Sequence, residues 1–128
     1  MLEMNKVMMA GNLTRDPELR STSNGHSVCD FSIAVNRRYV VNNEKREEVC
    51  FVDVQIWGAS AEACANYLKK GSAVFVEGRL TLDQWEDKET KKPRSKHFIT
   101  AEKVSFMDQK PAEDKNYKQA IPQVEITG

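Results

Sequence analysis

Residues 49–58 (Val-Cys-Phe-Val-Asp-Val-Gln-Ile-Trp-Gly) constrain the fold more than any other part of the chain. Their apolar side chains alternate with a period of two, which is typical of a half-buried β-strand. One face carries the small apolar residues Cys50, Val52, Val54 and Ile56. The other face carries Phe51 and Trp57 together with Asp53 and Gln55. Aromatic residues of the core should be in phase with the aliphatic residues, but Phe51 and Trp57 are out of phase with them. We therefore predict that this second face is an exposed surface that stacks on something flat.

The same period of two recurs on both sides of this segment. The predicted strands cover residues 5–13, 28–39, 49–57, 72–85 and 97–107. Gly11, in the first of them, marks a bend or a close backbone approach, and Gly78, in the fourth, would let that strand bend sharply round a barrel corner. The alternation of the fifth strand slips near Glu102-Lys103, which is compatible with a β-bulge. The fourth strand is expected to turn four aliphatic residues inward, Val74, Val76, Leu80 and Leu82.

Residues 60–70 change to a helical period. Ser60 is the expected N-cap, and Gly71 follows the expected end of the helix. Lys69 and Lys70 then fall in the last turn, where the helix dipole favours cations. Residues 42–48 are charged and predict a loop.

Five strands with one helix between the third and the fourth is the order of the OB-fold, an all-β Greek-key barrel. An SH3-like fold or another small barrel would also fit this pattern. The barrel is expected to occupy residues 1–107 as one domain. Residues 108–128 are polar and aperiodic, which predicts a disordered tail.

Charge and cysteine content exclude several other classes of protein. The chain has 19 basic and 19 acidic residues, so any nucleic-acid surface must come from the arrangement of charges. Local basic clusters occur at 37–38, 69–70 and 88–96. Cys29, Cys50 and Cys64 have no paired spacing, which argues against disulfides and structural zinc. No signal-peptide layout and no apolar run of about 20 residues is present, which predicts a cytoplasmic protein.

Four aromatic residues lie at polar-side positions or at a strand end: Tyr39, Phe51, Trp57 and Trp85. Aromatic rings accept any base, and such stacking is worth about 1–3 kcal/mol per base. The alternative is that these rings close a barrel end or fill a subunit interface. Phe75 has the same parity as Trp85 but aliphatic neighbours, and we assign it to packing or to an oligomer contact.

Basic residues on several segments could neutralise phosphates beside these rings. The candidates are Lys6, Arg15, Arg20, Arg37, Arg38 and Arg79. Each of them alone is better explained as a solvated surface charge, so the prediction depends on the set.

Catalysis has little support in the sequence. Asp53, Glu77 and Asp83 share a polar parity and could in principle hold a metal, but they lack motif spacing and a histidine neighbour. No nucleophile-elbow, zinc-protease or phosphate-loop motif is present. We therefore predict no catalytic residues, no metal and no cofactor. We expect these acids either to pair with arginines or to limit how strongly this face attracts phosphate. A metal-dependent phosphohydrolase on the same fold is the enzymatic alternative.

A series of short motifs over residues 5–107 resembles the bacterial-type single-stranded DNA-binding proteins. The motifs are Asn-Lys-Val at 5–7, Gly-Asn-Leu at 11–13, Asp-Pro-Glu-Leu-Arg at 16–20, Asn-Gly at 24–25, Phe-Ser-Ile-Ala at 31–34, Trp-Gly at 57–58, Tyr-Leu-Lys-Lys-Gly-Ser at 67–72, Val-Glu-Gly-Arg-Leu at 76–80, and Trp85 before a charged loop. The order of these pieces makes the resemblance specific.

The resemblance implies an OB-fold, usually a homotetramer, that binds single-stranded DNA without sequence preference in replication, recombination and repair. A nucleoid-associated location in the cytoplasm follows from it. The family's stacking positions fall on the four aromatics named above. Tyr39 and Phe51 stand where tryptophan is usual, and Trp57 stands where phenylalanine is usual. The family's basic contacts fall on Lys6, Arg20, Lys69 and Lys70.

Two departures from the family pattern are visible. Ala59 and Asp83 occupy places where a basic residue is frequent. Residues 120–128 contain a single acid, Glu125, whereas the family usually ends in an acidic tip that recruits replication and repair enzymes. Three interpretations stay open: the tip has been removed, the protein recruits partners differently, or it acts mainly as a protective coat. A primosome-type or RNA-binding barrel is the second hypothesis for a binding protein.

Overall fold

The structure, a computed structural model, describes residues 1–107, and the predicted tail at 108–128 lies outside these residues. Along the chain, the elements are β1 (Val7–Leu13), β2 (Glu18–Ser21), β3 (Ser27–Val41), β4 (Glu44–Trp57), α1 (Ala59–Tyr67), β5 (Ala73–Glu86) and β6 (Pro93–Phe106).

Strands β1, β3, β4, β5 and β6 form a closed barrel. The neighbours follow the order β1-β5-β6-β4-β3, and the pairing of Asn12 with Ala34 returns β1 to β3. Strands β4 and β6 are parallel, and Val54 lies opposite Ile99. This topology, with the helix between the third and fourth barrel strands, confirms the predicted OB-fold. Strand β2 is an additional short strand on the edge of β3 that the set of five predicted strands lacked.

The core lies where the in-phase aliphatic residues meet. Phe31, Ile33, Val54, Ile56 and others on the inward faces are almost completely buried. The inward assignment of Leu80 and Leu82 is wrong, because these side chains are 44% and 46% exposed. Strand β1 covers β5 only as far as Gly78, so the rest of β5 has β6 as its neighbour and projects from the barrel.

Two hairpin arms therefore extend from the barrel: the β3–β4 arm (residues 36–49) and the β5–β6 arm (residues 80–98). The predicted loop at 42–48 is wrong, because β3 and β4 stay paired up to a two-residue turn at Asn42-Asn43. Both asparagines have positive φ values, of 51° and 65°, as tight hairpin turns require.

The helix begins at Ala59, and its N-cap position is Gly58 with φ 81°, so the predicted Ser60 cap is wrong. It ends at Tyr67, which leaves Lys69 and Lys70 beyond the last turn. Ala61 and Cys64 are its buried residues. Among residues 1–107, no helix has the length and hydropathy needed to cross a membrane.

Both strand glycines mark close backbone approaches, which was one of the two predictions for Gly11 and was not predicted for Gly78. A Cβ atom on Gly11 would lie 2.4 Å from the Ala34 carbonyl oxygen, and one on Gly78 would lie 2.2 Å from that of Thr100. Opposite Gly78 the register shifts, because Glu77 pairs with Lys103 and Gly78 pairs with Ala101. Glu102 is the extra residue, which confirms the predicted bulge.

Candidate nucleic-acid interface

Three of the four predicted stacking residues lie on one outward surface. Phe51 and Trp57 alternate with the buried residues of β4 and are 71% and 45% exposed. Strand β6 lies beside β4, and its outward residues pair with those of β5, so Trp85 opposite Arg94 continues the same surface. Trp85 is 46% exposed. We call this surface the aromatic face; it comprises Phe51, Asp53, Gln55, Trp57, Trp85 and Lys96.

Tyr39 lies elsewhere. It pairs with Arg46 in the β3–β4 arm, which places it on the side opposite to Phe51. The guanidinium carbon of Arg37 lies 4.7 Å from the centroid of the Tyr39 ring, within cation–π range. Arg37 also donates to Glu48 at 2.9 Å. One face of the Tyr39 ring is thus already covered by a cation.

A chain of hydrogen bonds lies along the aromatic face and ends at Trp57. The Trp57 indole Nε1 donates to Gln55 Oε1 at 3.0 Å. Gln55 Nε2 donates to Asp30 Oδ1 at 3.3 Å, and Arg20 Nε donates to Asp30 Oδ2 at 2.6 Å. The hydrogen bond with Asp30 raises the pKa of Arg20 further above its ordinary value. Arg20, a predicted phosphate contact, is therefore bound to a carboxylate in the free protein.

Asp53 occupies the middle of the aromatic face. Lys96 forms an ion pair with its carboxylate, and the Ser32 hydroxyl donates to it. Arg15 Nη2 in turn donates to Ser32 Oγ at 3.4 Å. The hydrogen bond from Lys96, followed by the one from Ser32, lowers the pKa of Asp53.

The predicted arginine partners of Asp53 and Glu77 are wrong. Lys96 pairs with Asp53, and Lys6 pairs with Glu77 at 3.8 Å. Strand β6 lies parallel to β4, and this brings Lys96 to Asp53. The two strands are far apart in the sequence, so their periodicity does not reveal that they are neighbours. Lys96 is thus a cation on the aromatic face that the predicted set lacked, and the basic cluster at 88–96 was its only signal.

Most of the predicted phosphate-binding residues are already paired with carboxylates. The ion pairs are Lys6–Glu77, Arg15–Glu18, Arg20–Asp30, Arg37–Glu48 and Arg38–Glu47. The remaining three, Lys69, Lys70 and Arg79, make no ion pair within residues 1–107.

The eight cations do not form one patch. Arg15 and Arg20 border the aromatic face, and Lys69 and Lys70 follow α1. Arg37 and Arg38 lie in the β3–β4 arm, and Lys6 precedes β1. Arg79 lies on β5 opposite Thr100, which is the β6 neighbour of Gln55.

A polar cleft of about 330 Å³ opens beside the aromatic face. Its charged lining combines the acids Glu18, Asp30, Asp53 and Asp83 with the bases Arg15, Arg20 and Lys96. Within the described part of the chain, no three His, Cys, Asp or Glu side chains are placed to hold a metal ion. The geometry suits a surface that binds a chain of bases along exposed rings more than a pocket that encloses a small substrate.

Comparison with known proteins gives a consistent result. The sequence model described as the single-strand binding protein family matches residues 4–107. The chain is 47% identical over 113 residues to the single-stranded DNA-binding protein of Helicobacter hepaticus. The aligned residues make up 88% of this chain and 66% of that protein. It is 46% identical over 115 residues to the protein of the same name from Wolinella succinogenes, with 89% and 70% covered.

A solved structure has the same fold. The chain superimposes on a Plasmodium falciparum SSB in complex with ssDNA with a TM-score of 0.78 at 23% identity, covering 84% of this chain and 98% of that one. A further relative, the single-stranded DNA-binding protein of Helicobacter pylori, is matched over only 59% of its length. The chain thus spans about two thirds of the length of these curated relatives.

Proposed function

Because the chain belongs to the single-strand binding protein family, we propose that it binds single-stranded DNA without sequence preference. The observation that carries the proposal is the aromatic face, where Phe51, Trp57 and Trp85 expose their rings on one continuous surface. A large aromatic on the outside of a barrel is costly to hydrate, and it is well suited to stack on an unpaired base.

In the proposed complex, bases stack on Phe51, Trp57 and Trp85, and Tyr39 extends the path along the β3–β4 arm. The backbone phosphates are neutralised by eight cations: Lys6, Arg15, Arg20, Arg37, Arg38, Lys69, Lys70 and Arg79. Lys96 joins this set because it lies on the aromatic face. Stacking tolerates every base, so this mode of binding carries no sequence preference.

Paired carboxylates set the electrostatics of this binding. Phosphate has to compete with Glu48 for Arg37 and with Asp30 for Arg20. The net charge of the chain is zero, so long-range attraction to DNA is weak and close contacts carry the affinity. We expect an affinity that falls as salt rises, because each phosphate contact releases counterions.

A homotetramer is part of the proposal. Strand β1 pairs with β5 from Val7 to Asn12, yet it pairs with β3 only at Asn12 and Leu13. Gly11 also lies against Ala34 of β3, so the other edge of β1 is not covered by a strand within residues 1–107 only from Val7 to Ala10. Met8 beside this edge is 61% exposed. An open strand edge beside an apolar residue is a template for pairing with a second copy, and several copies on one DNA strand raise the effective concentration of binding surfaces.

We place the protein among non-catalytic binding proteins of the cytoplasm, associated with the nucleoid and acting in replication, recombination and repair. Its proposed partners are single-stranded DNA and further copies of itself. Replication and repair enzymes are further proposed partners.

A titration with oligo-dT tests the proposal. Tryptophan emission should be quenched on binding, and the affinity should fall as salt is raised. Trp57→Ala and Trp85→Ala should each weaken binding by about tenfold, within the range for loss of one stacked base. Tyr67→Ala is the matched control, because Tyr67 is an exposed ring on α1, away from the aromatic face.

Two outcomes would reject the proposal. Absence of quenching at low salt would exclude binding through Trp57 and Trp85. A preference for RNA or for duplex DNA over oligo-dT would favour the RNA-binding or primosome-type barrel instead.

A further inference from the structure

The Trp57 indole is held in place by a hydrogen bond that the phenylalanine usual at this family position could not make. Its Nε1 donates to Gln55 Oε1 at 3.0 Å, two residues earlier on the same side of β4. Trp57 is 45% exposed, so packing alone covers little more than half of the ring. We propose that Gln55 and Asp30 are positioning residues that fix the Trp57 ring before DNA arrives; this inference rests on the proposed function.

Asp30 determines which way the Gln55 amide points. An ionised carboxylate only accepts hydrogen bonds, so the group that faces Asp30 Oδ1 at 3.3 Å must be the Gln55 NH₂. The carbonyl oxygen of Gln55 is then directed at the indole, which can only donate. If Gln55 were replaced by an apolar residue, the indole would lose its acceptor. If Asp30 were replaced by an apolar residue, the Gln55 amide would lose its orientation.

Arg20 completes the chain by fixing Asp30. Its Nε donates to Asp30 Oδ2 at 2.6 Å, on the oxygen that does not contact Gln55. The Asp30 carboxylate is therefore held from both sides, by a guanidinium on β2 and an amide on β4. Within this chain of contacts, Arg20 acts through Asp30 and Gln55 on the ring, in addition to its proposed contact with phosphate.

Holding the ring in advance lowers the ordering cost of binding. A free surface side chain must be immobilised when a base stacks on it, and that loss opposes association. Gln55→Met keeps the length of the side chain and removes the acceptor. We expect this variant to bind oligo-dT about two- to tenfold more weakly, the range expected for immobilising one side chain.

The first experiment needs no DNA. Trp57 and Trp85 are the two tryptophans of the chain, so in a W85F background all tryptophan emission comes from Trp57. Time-resolved anisotropy should then report a faster local motion of the ring in Gln55→Met than in the parent. Gln84→Met, which removes an exposed amide on β5 and leaves the Trp57–Gln55 hydrogen bond intact, should keep the slow motion of the parent. Equal local motion in the parent and in Gln55→Met would overturn the proposal.

The second experiment is a double-mutant cycle that combines Gln55→Met with W57F in the full chain. Gln55→Met should weaken oligo-dT binding when Trp57 is present and should have no effect in a W57F background, because phenylalanine has no N–H to hold. The same loss in both backgrounds would assign Gln55 a direct contact with DNA and overturn the positioning role. Gln84→Met, an exposed glutamine on β5, is the control for loss of an amide.

The two failures are distinguishable. A parent protein that does not bind oligo-dT would reject the proposed function and leave the anisotropy result to decide whether Gln55 holds the ring. If the parent binds oligo-dT and Gln55→Met has the same anisotropy as the parent, the proposed function stands and the positioning role of Gln55 is rejected.

Discussion

Tyr39 and Phe51 lie on opposite sides of the β3–β4 arm. Tyr39 pairs with Arg46, and directly paired residues share a face of the arm. Along β4, Arg46 and Phe51 are separated by an odd number of positions, so they lie on opposite faces. Successive side chains of a strand point to opposite faces, and the two rings therefore cannot form one flat platform. A strand of DNA that uses both rings has to pass around the arm.

This separation predicts that the effect of Tyr39→Ala depends on the length of the DNA. An oligo-dT of about five nucleotides, near the lower end of what one OB-fold covers, should bind the aromatic face and lose little affinity. An oligo-dT of about fifteen nucleotides should reach Tyr39 and bind about tenfold more weakly. Fluorescence titration with both lengths measures the difference, and Trp57→Ala should weaken both. Equal losses for Tyr39→Ala at both lengths would contradict the separation.

Removal of a competing carboxylate should strengthen binding. Glu48 accepts a hydrogen bond from Arg37 at 2.9 Å, so Glu48→Gln should free the guanidinium for phosphate. We expect tighter binding, with a slope of log K against log salt that is steeper by about 0.7, the value for one added phosphate contact on a single strand. Glu62→Gln on α1 is the control, since Glu62 makes no ion pair within residues 1–107. The same slope in Glu48→Gln and in the native protein would mean that Arg37 stays away from phosphate.

The Asp53–Lys96 ion pair should make stability depend on pH in the acid range. The hydrogen bond from Lys96 lowers the pKa of Asp53 below its unfolded value. The ion pair therefore stabilises the folded state fully above the unfolded pKa, and this contribution is lost as pH falls through the lowered folded pKa. Urea midpoints of the native protein and Asp53→Asn should differ at about pH 7 and converge as pH falls through the lowered folded pKa of Asp53.

Asp83→Asn is the control for that experiment. Asp83 lines the same cleft but makes no ion pair within the described residues. Its midpoint should follow that of the native protein through the whole titration. A difference between native protein and Asp53→Asn that stays constant with pH would show that Asp53 acts through packing.

Gly78→Ala should destabilise the barrel strongly. The added Cβ would lie 2.2 Å from the Thr100 carbonyl oxygen and 2.8 Å from the Ala101 Cα, and backbone atoms in two paired strands cannot move aside easily. We expect a loss of about 3 kcal/mol in the free energy of unfolding. Gly25→Ala, where φ is +83° and space is open, should cost only about 1 kcal/mol. Urea unfolding measures both, and equal losses would contradict the role of close contact at Gly78.

One thiol of three should react in the folded protein. Burial raises the pKa of Cys29 to about 11 and that of Cys64 to about 12, whereas Cys50 is exposed. Ellman's reagent at about pH 8 should therefore modify one cysteine quickly, and all three in urea. Cys50→Ser should remove the fast phase. A fast phase that persists in Cys50→Ser would mean that the barrel opens readily around α1.

The sequence predicted the parts of the fold that depend on periodic burial. Val54 and Ile56 are buried and Phe51 and Trp57 are exposed, as the alternation in β4 indicated. The close approach at Gly11 and the bulge near Glu102-Lys103 also followed from local pattern, because each interrupts an otherwise regular strand.

The errors have a common physical cause. Strand β2 is exposed along its whole length, so no apolar alternation marks it. Residues 44–48 are charged and resemble a loop, yet cross-strand pairs such as Arg37 with Glu48 hold them in a strand. Leu80 looks like a core residue because period alone does not report where a neighbouring strand ends.

The site was predicted residue by residue but not as a network. Gln55 and Asp30 were visible as polar residues in strands, and only the pairing of β3 with β4 brings them together. A hydrogen bond across strands depends on register, which the composition of either strand does not contain.

Because the Asn42-Asn43 turn lies at the tip of the β3–β4 arm, the arm can change in length without any change in the barrel. The ladder of β3 and β4 continues without interruption from Val28 to the turn, and the core residues all lie at its base. Inserting one residue on each side of the turn would lengthen the arm by about 3.4 Å while leaving every barrel contact in register. Related proteins could therefore tune the reach of this arm by small insertions at its tip, and an engineer could attach a probe there without redesigning the core.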